Sequence, residues 1–575
     1  VKKMNYTKIF SEILEKYLKE LRGIGVKPWK HQEKTWELLV KYAGEKIILL
    51  RAPTASGKTE AAIIPFFYQI LYNDWFLAPG LIYVLPNKTL LFSQLRRIQR
   101  FAKIVLPENK FKRIRIVADL GGLHPYKTFL FGDIVLTTLD AFTYGLLARR
   151  TFIIRRNENL GKTLFPIGNI ATSFIIFDEV QLYQDIYYYT PKVLRELITL
   201  LNVSGIPTLI MTATLPQKLK NEIISDEVEV IEVVCNQAVR KGEIEIENKI
   251  GENMNSFIQR ELADLLNQHN RILIVRNTVK EAVKTYLLLK KLVKNRDFEI
   301  DLLHARLVEK ARRERERKLE DIKDEDSRFI LVATQVAESG LDIDFNIILT
   351  EIAPIDGLIQ RIGRVARRKE IGYAYLFSPR TSHPYSPELL KKTLEVIRCE
   401  EKSLKLAVKR IDVTEKLLNM VYDKVPIVPS NLRKYLNATL RALNTLTPFT
   451  DLRVLMAKSV VRPQLYFSAL LLPNISLEAL NYMTELKIVF RQLQENCLNI
   501  PYKGNDPCLY PFLLKIDNSV FKADILRANM IDDQYILLRI RCVDKVLPEN
   551  LYLIDPRYYK KLNNYDLGLY KWDEK

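Results

Sequence analysis

The sequence predicts an α/β protein with two tandem parallel-sheet domains and a C-terminal mixed α+β accessory domain. Three observations predict it. Short apolar runs recur along residues 25–385, each breaking into polar residues, as strands buried on both faces do. Helix-patterned stretches separate them, as parallel connections require. One junction, Ile47-Ile48-Leu49-Leu50-Arg51-Ala52-Pro53-Thr54-Ala55-Ser56-Gly57-Lys58-Thr59-Glu60, joins a strand to a helix N-terminus through a phosphate-binding turn.

In that turn, backbone N–H groups and the helix dipole favour an anion. Gly57 lets the backbone approach closely, Lys58 reaches β- and γ-phosphates, and the Thr59 hydroxyl suits Mg²⁺. Ala52 stands where the usual pattern has its first glycine, and Ala52, Thr54 and Ser56 complete the cradle. A second Gly-Lys-Thr, Gly161-Lys162-Thr163, follows a polar run and no strand, so it is read as a loop.

The chain has 575 residues, room for about three or four domains of usual size. Hydrophobic residues make up 48%, enough for large cores. Lys and Arg number 88 against 68 Asp and Glu, a net charge of +20 that favours an anionic polymer such as nucleic acid. The five cysteines form no C-x-x-C pair, so neither a zinc site nor a disulfide framework is indicated. That usage suits a reducing cytoplasm, and no apolar run approaches the ~20 residues that span a bilayer.

Residues 1–24 read as an accessory amphipathic helix, 25–234 as the first α/β domain, 235–385 as the second, 386–430 as a helical linker and 431–575 as the accessory domain. Upstream of the cradle, Gln32 has an amide able to pair with an adenine edge, and Trp29 can pack on a base or sugar. The strand 81–86 ends at Pro86, followed by Asn87, Lys88 and Gln94, polar groups at an edge suited to a phosphodiester backbone. Arg96 and Arg97 read as a solvated helix face, whereas Thr137 and Thr138 at the end of strand 134–138 are candidate phosphate donors. The strand 173–177 ends in Asp178-Glu179. Two carboxylates there are costly without a cation or a proton to move, so Asp178 is assigned Mg²⁺ and Glu179 the proton of an attacking water. Thr212 and Thr214 are candidates for coupling that site to the neighbouring domain.

In the second domain the strand ending at Arg276-Asn277-Thr278 and the strand ending at Thr334 repeat the pattern. Gln360-Arg361-Ile362-Gly363-Arg364-Val365-Ala366-Arg367 sets Arg364 and Arg367 three apart, one helical face offering two guanidinium forks to a transferring phosphoryl group. Residues 430–495 read as mostly helical. From 508 the pattern turns β-like, with a hairpin around Asp532-Asp533.

Cradle, Asp-Glu, Thr-Ala-Thr and Gln-Arg-x-Gly-Arg-x-x-Arg, in that order, resemble a superfamily 2 helicase of the DExH type, over residues 25–380. The resemblance implies two RecA-like P-loop domains, ATP with Mg²⁺ in the cleft between them, and a single nucleic-acid strand across their top. Within that superfamily, residues 51–59, Asn277-Thr278-Val279 and Thr334-Gln335-Val336-Ala337-Glu338-Ser339-Gly340-Leu341-Asp342 resemble the helicase of type I CRISPR interference. The resemblance carries cofactor contacts to Gly340 and Asp342, a water-positioning role to Gln360, and nucleic-acid contacts to Arg276, Asn277, Thr278 and Thr334. It implies single-stranded DNA as track, 3′ to 5′ movement and a CRISPR RNA-guided surveillance (Cascade) complex as partner.

Two departures matter. Gln181 stands where many relatives have histidine, yet its amide can bond a γ-phosphate or Thr212. None of the five histidines precedes an aspartate, so the His-Asp doublet of a fused metal nuclease is missing and a split system with a separate HD-type nuclease subunit is expected. The competing readings are a DNA-repair or RNA helicase and a nucleotide-gated clamp without useful turnover.

Overall fold

The computed structural model describes residues 6–23, 27–53, 56–120, 129–147, 160–185, 187–235, 242–294, 297–322, 327–338, 343–366, 371–422, 428–445, 461–462, 466–472, 485–489, 495–501, 503, 506–509, 513, 515–516, 519–528, 535–546, 551–562 and 565–569. It divides into two compact units: residues 1–240 with 400–463, and 241–399 with 464–575.

The first unit is built on seven parallel strands: β1 (Ile47–Arg51), β2 (Gly80–Leu85), β3 (Ile116–Asp119), β4 (Ile134–Thr138), β5 (Ser173–Phe177), β6 (Thr208–Thr212) and β7 (Val230–Val234), in the order β3-β4-β2-β5-β6-β1-β7. All but its edge strands are almost wholly buried, which is why their sequences are continuously apolar rather than alternating. Helix α1 (Tyr6–Arg22) buries Phe10, Ile13, Leu14 and Tyr17, one stripe at helical spacing, against α2 (Lys30–Tyr42), α3 (Lys58–Tyr72) and α4 (Lys88–Val105). Trp36 and Phe67 fill the same core. On the other sheet face, Leu436, Ala442 and Leu443 of the helix Ser430–Thr445 join Leu194, Leu197 and Ile198.

The second unit has six parallel strands: β8 (Glu243–Lys249), β9 (Arg271–Val275), β10 (Glu299–Leu303), β11 (Phe329–Ala333), β12 (Ile347–Glu351) and β13 (Ile371–Phe377), in the order β10-β11-β9-β12-β13-β8. A mixed sheet follows: β14 (Tyr466–Leu471), β15 (Glu485–Val489), β16 (Cys497–Pro501), β17 (Lys515–Ile516), β18 (Ser519–Ala528), β19 (Tyr535–Val543) and β20 (Leu551–Ile554). A hairpin of β21 (Tyr559–Leu562) and β22 (Tyr565–Leu569) closes the chain. Tyr565 stacks on Tyr286 at 5.1 Å and donates to Asp301 at 2.7 Å, holding the hairpin to β10.

Three local expectations change. Residues 161–163 lie in the helix Leu160–Ala171, because the apolar residues that follow carry the helix back over them. Strands begin at Tyr466, not near 508, since a six-residue run such as Tyr466–Leu471 has no period that separates strand from helix. The expected linker is divided: Pro387–Cys399 belongs with the second unit, and 400–463 packs on the first. The expected hairpin pairs β18 with β19 antiparallel, its turn lying outside the described residues.

Candidate nucleotide site and strand edge

The cradle sits where β1 runs out. Gly57 caps α3 with φ of 79°, a left-handed conformation that suits glycine, and Thr212 C=O accepts the Ala52 N–H at 3.0 Å. Lys58 is folded inward, its ammonium donating to the carbonyls of Ala52 (2.9 Å) and Pro53 (3.2 Å). Its Nζ lies 3.7 Å from Glu179 Oε1. Ser56 is buried and its hydroxyl has no hydrogen-bond partner among the described residues. Thr54 lies outside the described residues.

The acidic pair arrives from β5, one strand from β6. Asp178 is buried; Tyr83 donates its hydroxyl to Asp178 Oδ2 at 2.7 Å, and Glu179 N–H donates to Oδ1 at 2.9 Å. Burial first, then the Glu179 carboxylate, raises the Asp178 pKa; Lys58 and Tyr83 oppose the rise. Glu179 adopts φ of 50°, a strained turn that lifts its carboxylate off the strand line towards Lys58. Gln181 Nε2 donates to Glu179 Oε2, and Gln181 Oε1 lies 2.6 Å from the Thr212 hydroxyl. The Thr212 hydroxyl also meets the carbonyl (2.6 Å) and N–H (3.2 Å) of Thr214. Glutamine at 181 thus bridges Glu179 and Thr212, since an amide donates at one end and accepts at the other.

The structure reassigns two residues here. Gln32 is buried; it donates to Gly57 C=O at 3.0 Å and accepts from Trp29 N–H at 2.9 Å. It braces the loop instead of offering a paired donor and acceptor to a base. Gln94 points to the cradle, with Nε2 3.4 Å from the Thr59 hydroxyl and a buried Oε1 that has no partner among the described residues, so it is not grouped with Asn87. Arg97 is no merely solvated group: it pairs with both oxygens of buried Glu60 at 2.7 and 2.8 Å. His31, which carried no expectation, sits 3.0 Å from Ser56 C=O; burial first lowers its pKa.

At the edge of the first sheet, Asn87 Oδ1 accepts from Leu90 N–H at 2.9 Å and caps α4, beside Lys88. Thr137 is withdrawn as a phosphate donor: it is fully buried and donates to Asp119 C=O at 2.8 Å. Thr138 is nearly buried too and caps the helix Leu139–Leu146. Arg462 was not foreseen. It grips Asp140 with Nε at 2.8 and 3.0 Å and donates to Pro86 C=O at 3.0 Å.

In the second unit the strand-end residues turn inward. Arg276 pairs with Glu351 at 3.0 Å and Glu281 at 3.1 Å. Asn277 donates to Ile352 C=O at 2.7 Å, and its N–H donates to Glu351 at 2.6 Å. Both are buried, so neither presents its polar group to a strand; Thr334 is buried as well. Thr278 caps the helix Val279–Leu292 and stays part-exposed. The centre of this network is Arg361, fully buried and bonded to Glu338 (2.7 and 2.9 Å), Asn277 (2.9 Å), Glu351 C=O (3.0 Å), Thr350 (3.2 Å) and the Tyr385 hydroxyl (2.9 Å). Burial first raises the Glu338 pKa, and Arg361 pulls it back.

Gln360 lies on the helix Ile355–Ile362 with a buried Oε1 that has no partner among the described residues. That helix stops at Ile362, so Arg364 is not on it. Arg364 is buried and donates to Glu338 C=O. Arg367, Gly340 and Asp342 lie outside the described residues.

Residues 29–222 match the DEAD/DEAH box helicase family, and residues 268–370 match CRISPR-associated nuclease/helicase Cas3, C-terminal. The CRISPR-associated helicase Cas3 of Thermoproteus tenax is 32% identical over 377 residues, covering 64% of this chain and 62% of that protein. The CRISPR-associated nuclease/helicase Cas3 of Methanothermobacter thermautotrophicus is 25% identical over 404 residues, covering 64% of this chain and 42% of that one. The chain therefore spans less than two thirds of the length of these curated relatives. The crystal structure of T. fusca Cas3-ATP has the same fold, with a TM-score of 0.60 at 16% identity, over 87% of this chain and 66% of that one. The chain thus carries a DEAD/DEAH box helicase region followed by a region that matches the Cas3 C-terminal family, and it is similar to Cas3 helicases.

Proposed function

We propose that this chain is an ATP-dependent single-stranded DNA translocase and helicase of type I CRISPR interference, unwinding target DNA for a separate HD-type nuclease subunit. One observation carries the catalytic part: Lys58 and Glu179 face each other at 3.7 Å, and Glu179 is held by Gln181 to Thr212. A clamp that only binds nucleotide has no use for a carboxylate braced in this way.

The residues fit Mg²⁺ and a triphosphate. Thr59 and Asp178 are hard oxygen donors of the kind Mg²⁺ takes, and the unpartnered Ser56 hydroxyl and the α3 N-terminus suit phosphate. Bound metal supplies charge neutralisation on the transferring phosphoryl group. Lys58 exchanges the Ala52 and Pro53 carbonyls for phosphate oxygens. Glu179 then accepts the proton of the attacking water while Gln181 holds its second oxygen. Arg364, Arg367 and Gln360 are proposed to complete the site, with Gly340 and Asp342 as further nucleotide contacts. For the strand, Pro86, Asn87, Lys88 and Thr278 are the candidates. Grip through phosphates makes binding sequence-tolerant and salt-sensitive. The surveillance complex as partner rests on the family.

Steady-state ATP turnover with single-stranded DNA, with RNA and with neither tests this reading. DNA stimulation in the wild type, and retained nucleotide binding with no turnover in Glu179→Gln, are expected. Preferential stimulation by RNA replaces the DNA reading with the RNA-helicase one. Unchanged turnover in Glu179→Gln removes the assigned base.

A further inference from the structure

We propose that Glu415, on the helix Ile411–Val421 of the 400–463 segment, is a positioning residue that holds both arms of the hydrolysis site in register. This rests on the reading of Lys58 and Glu179 given above. Glu415 Oε1 bonds Arg51 Nη2 and accepts the Leu215 N–H at 3.3 Å. Each contact begins a short path of hydrogen bonds. Arg51 ends β1; the next residue, Ala52, offers its carbonyl to Lys58 at 2.9 Å. Leu215 follows Thr214, whose N–H and carbonyl meet the Thr212 hydroxyl, which reaches Gln181 and through it Glu179. The two paths meet again where Lys58 Nζ and Glu179 Oε1 stand 3.7 Å apart.

The pair is a built feature. The Arg51 and Glu415 side chains are only 14% and 20% exposed, where an ion pair is screened less than on open surface. Arg51 also holds Glu232 at 2.9 Å, which pairs in turn with Lys220, so the guanidinium is fixed from the other side. Glu415 is 364 residues from Arg51, and its segment continues directly from the helix Pro387–Cys399 of the second unit. A carboxylate carried on that segment therefore sets how the β1 end and the Thr212–Leu215 turn lie against each other, and with them the spacing of ammonium and carboxylate.

The test uses the full chain, single-stranded DNA and saturating Mg²⁺. Glu415→Gln keeps shape and removes the charge. We expect stimulated kcat to fall about tenfold, or ~1.4 kcal/mol, with KM for ATP within about twofold. Arg51→Lys, which keeps the charge but loses the fork that holds two carboxylates, is expected to shift kcat the same way by less. The Glu415→Gln/Gln181→Ala double variant is expected to lose less than the product of the two single losses, because both cut the path through Thr212 while the path through Arg51 is cut once. Losses that multiply, a loss carried by KM, or a loss that follows a lowered melting temperature overturn the proposal. Inert Glu179→Gln with wild-type Glu415→Gln overturns only the positioning role, whereas active Glu179→Gln overturns the site reading beneath it.

Discussion

Arg361→Met removes a fully buried guanidinium and leaves its partners in place. Glu338, whose side chain is 17% exposed, loses its cation, and Asn277 and Thr350 each lose a donor. Breaking a buried pair from one side costs ~3–5 kcal/mol, and the small residual exposure of Glu338 places the pair term near the lower end. The two lost neutral hydrogen bonds add about 1 kcal/mol each, so a total of about 5 kcal/mol is expected. That is a large share of the ~5–15 kcal/mol that holds a domain together. Acid should relieve it. Burial already raises the Glu338 pKa, and Arg361 is the main group pulling it down. Without Arg361 the native carboxyl titrates higher than in wild type, so the native variant takes up its proton first as pH falls. The gap between variant and wild type therefore narrows on going from pH 7 to pH 5. Amide hydrogen exchange of β9, β11 and β12 in the full chain measures it, with wild type run at each pH. A gap below about 1 kcal/mol, or one that widens on acidification, refutes the reasoning.

Other outcomes follow from the same geometry. Gln181→Ala frees Glu179 and Thr212 from each other; turnover should drop about 10- to 100-fold with nucleotide affinity retained, read by steady-state kinetics beside nucleotide titration. Thr137→Val removes the hydroxyl that donates to the Asp119 carbonyl, should cost about 1 kcal/mol of stability, and should leave DNA affinity unchanged in a filter-binding or anisotropy assay. His304 is buried, and burial first, with Arg315 next, lowers its pKa from 6.5 to about 3. Because the unfolded state takes the proton first, its contribution is lost as pH falls from 6.5 towards 3, at ~1.4 kcal/mol per pH unit. Denaturation of wild type and His304→Gln across that window should diverge by this slope; parallel profiles would count against a neutral native imidazole.

Arg462 and the pair Asp140 and Pro86 show how the strand edge of the first unit is reinforced from far along the chain, 322 and 376 residues away. The proposed contact surface there is therefore the product of two sequence regions, of which only residues 86–94 announce themselves. The same holds at the nucleotide site. Tyr83 reads as one more apolar strand residue until its hydroxyl is seen on Asp178. His31 carries no signal in the sequence until it is seen against Ser56 C=O.

By itself the sequence determined what is contiguous. An apolar strand, a turn with Gly57 and a helix beginning at Lys58 are local geometry, and Asp178-Glu179 at a strand end is local as well, so both were legible at the right positions. Tertiary structure decided which polar strand ends face inward. Thr137, Arg276 and Asn277 look like Asn87 and Thr278 in sequence, but strands covered on both faces have no exposed side for a period of two to mark, and these three are spent inside. It also decided the long-range pairs, Arg51 with Glu415 and Arg361 with Glu338, because a charge can be buried only where another element brings its partner.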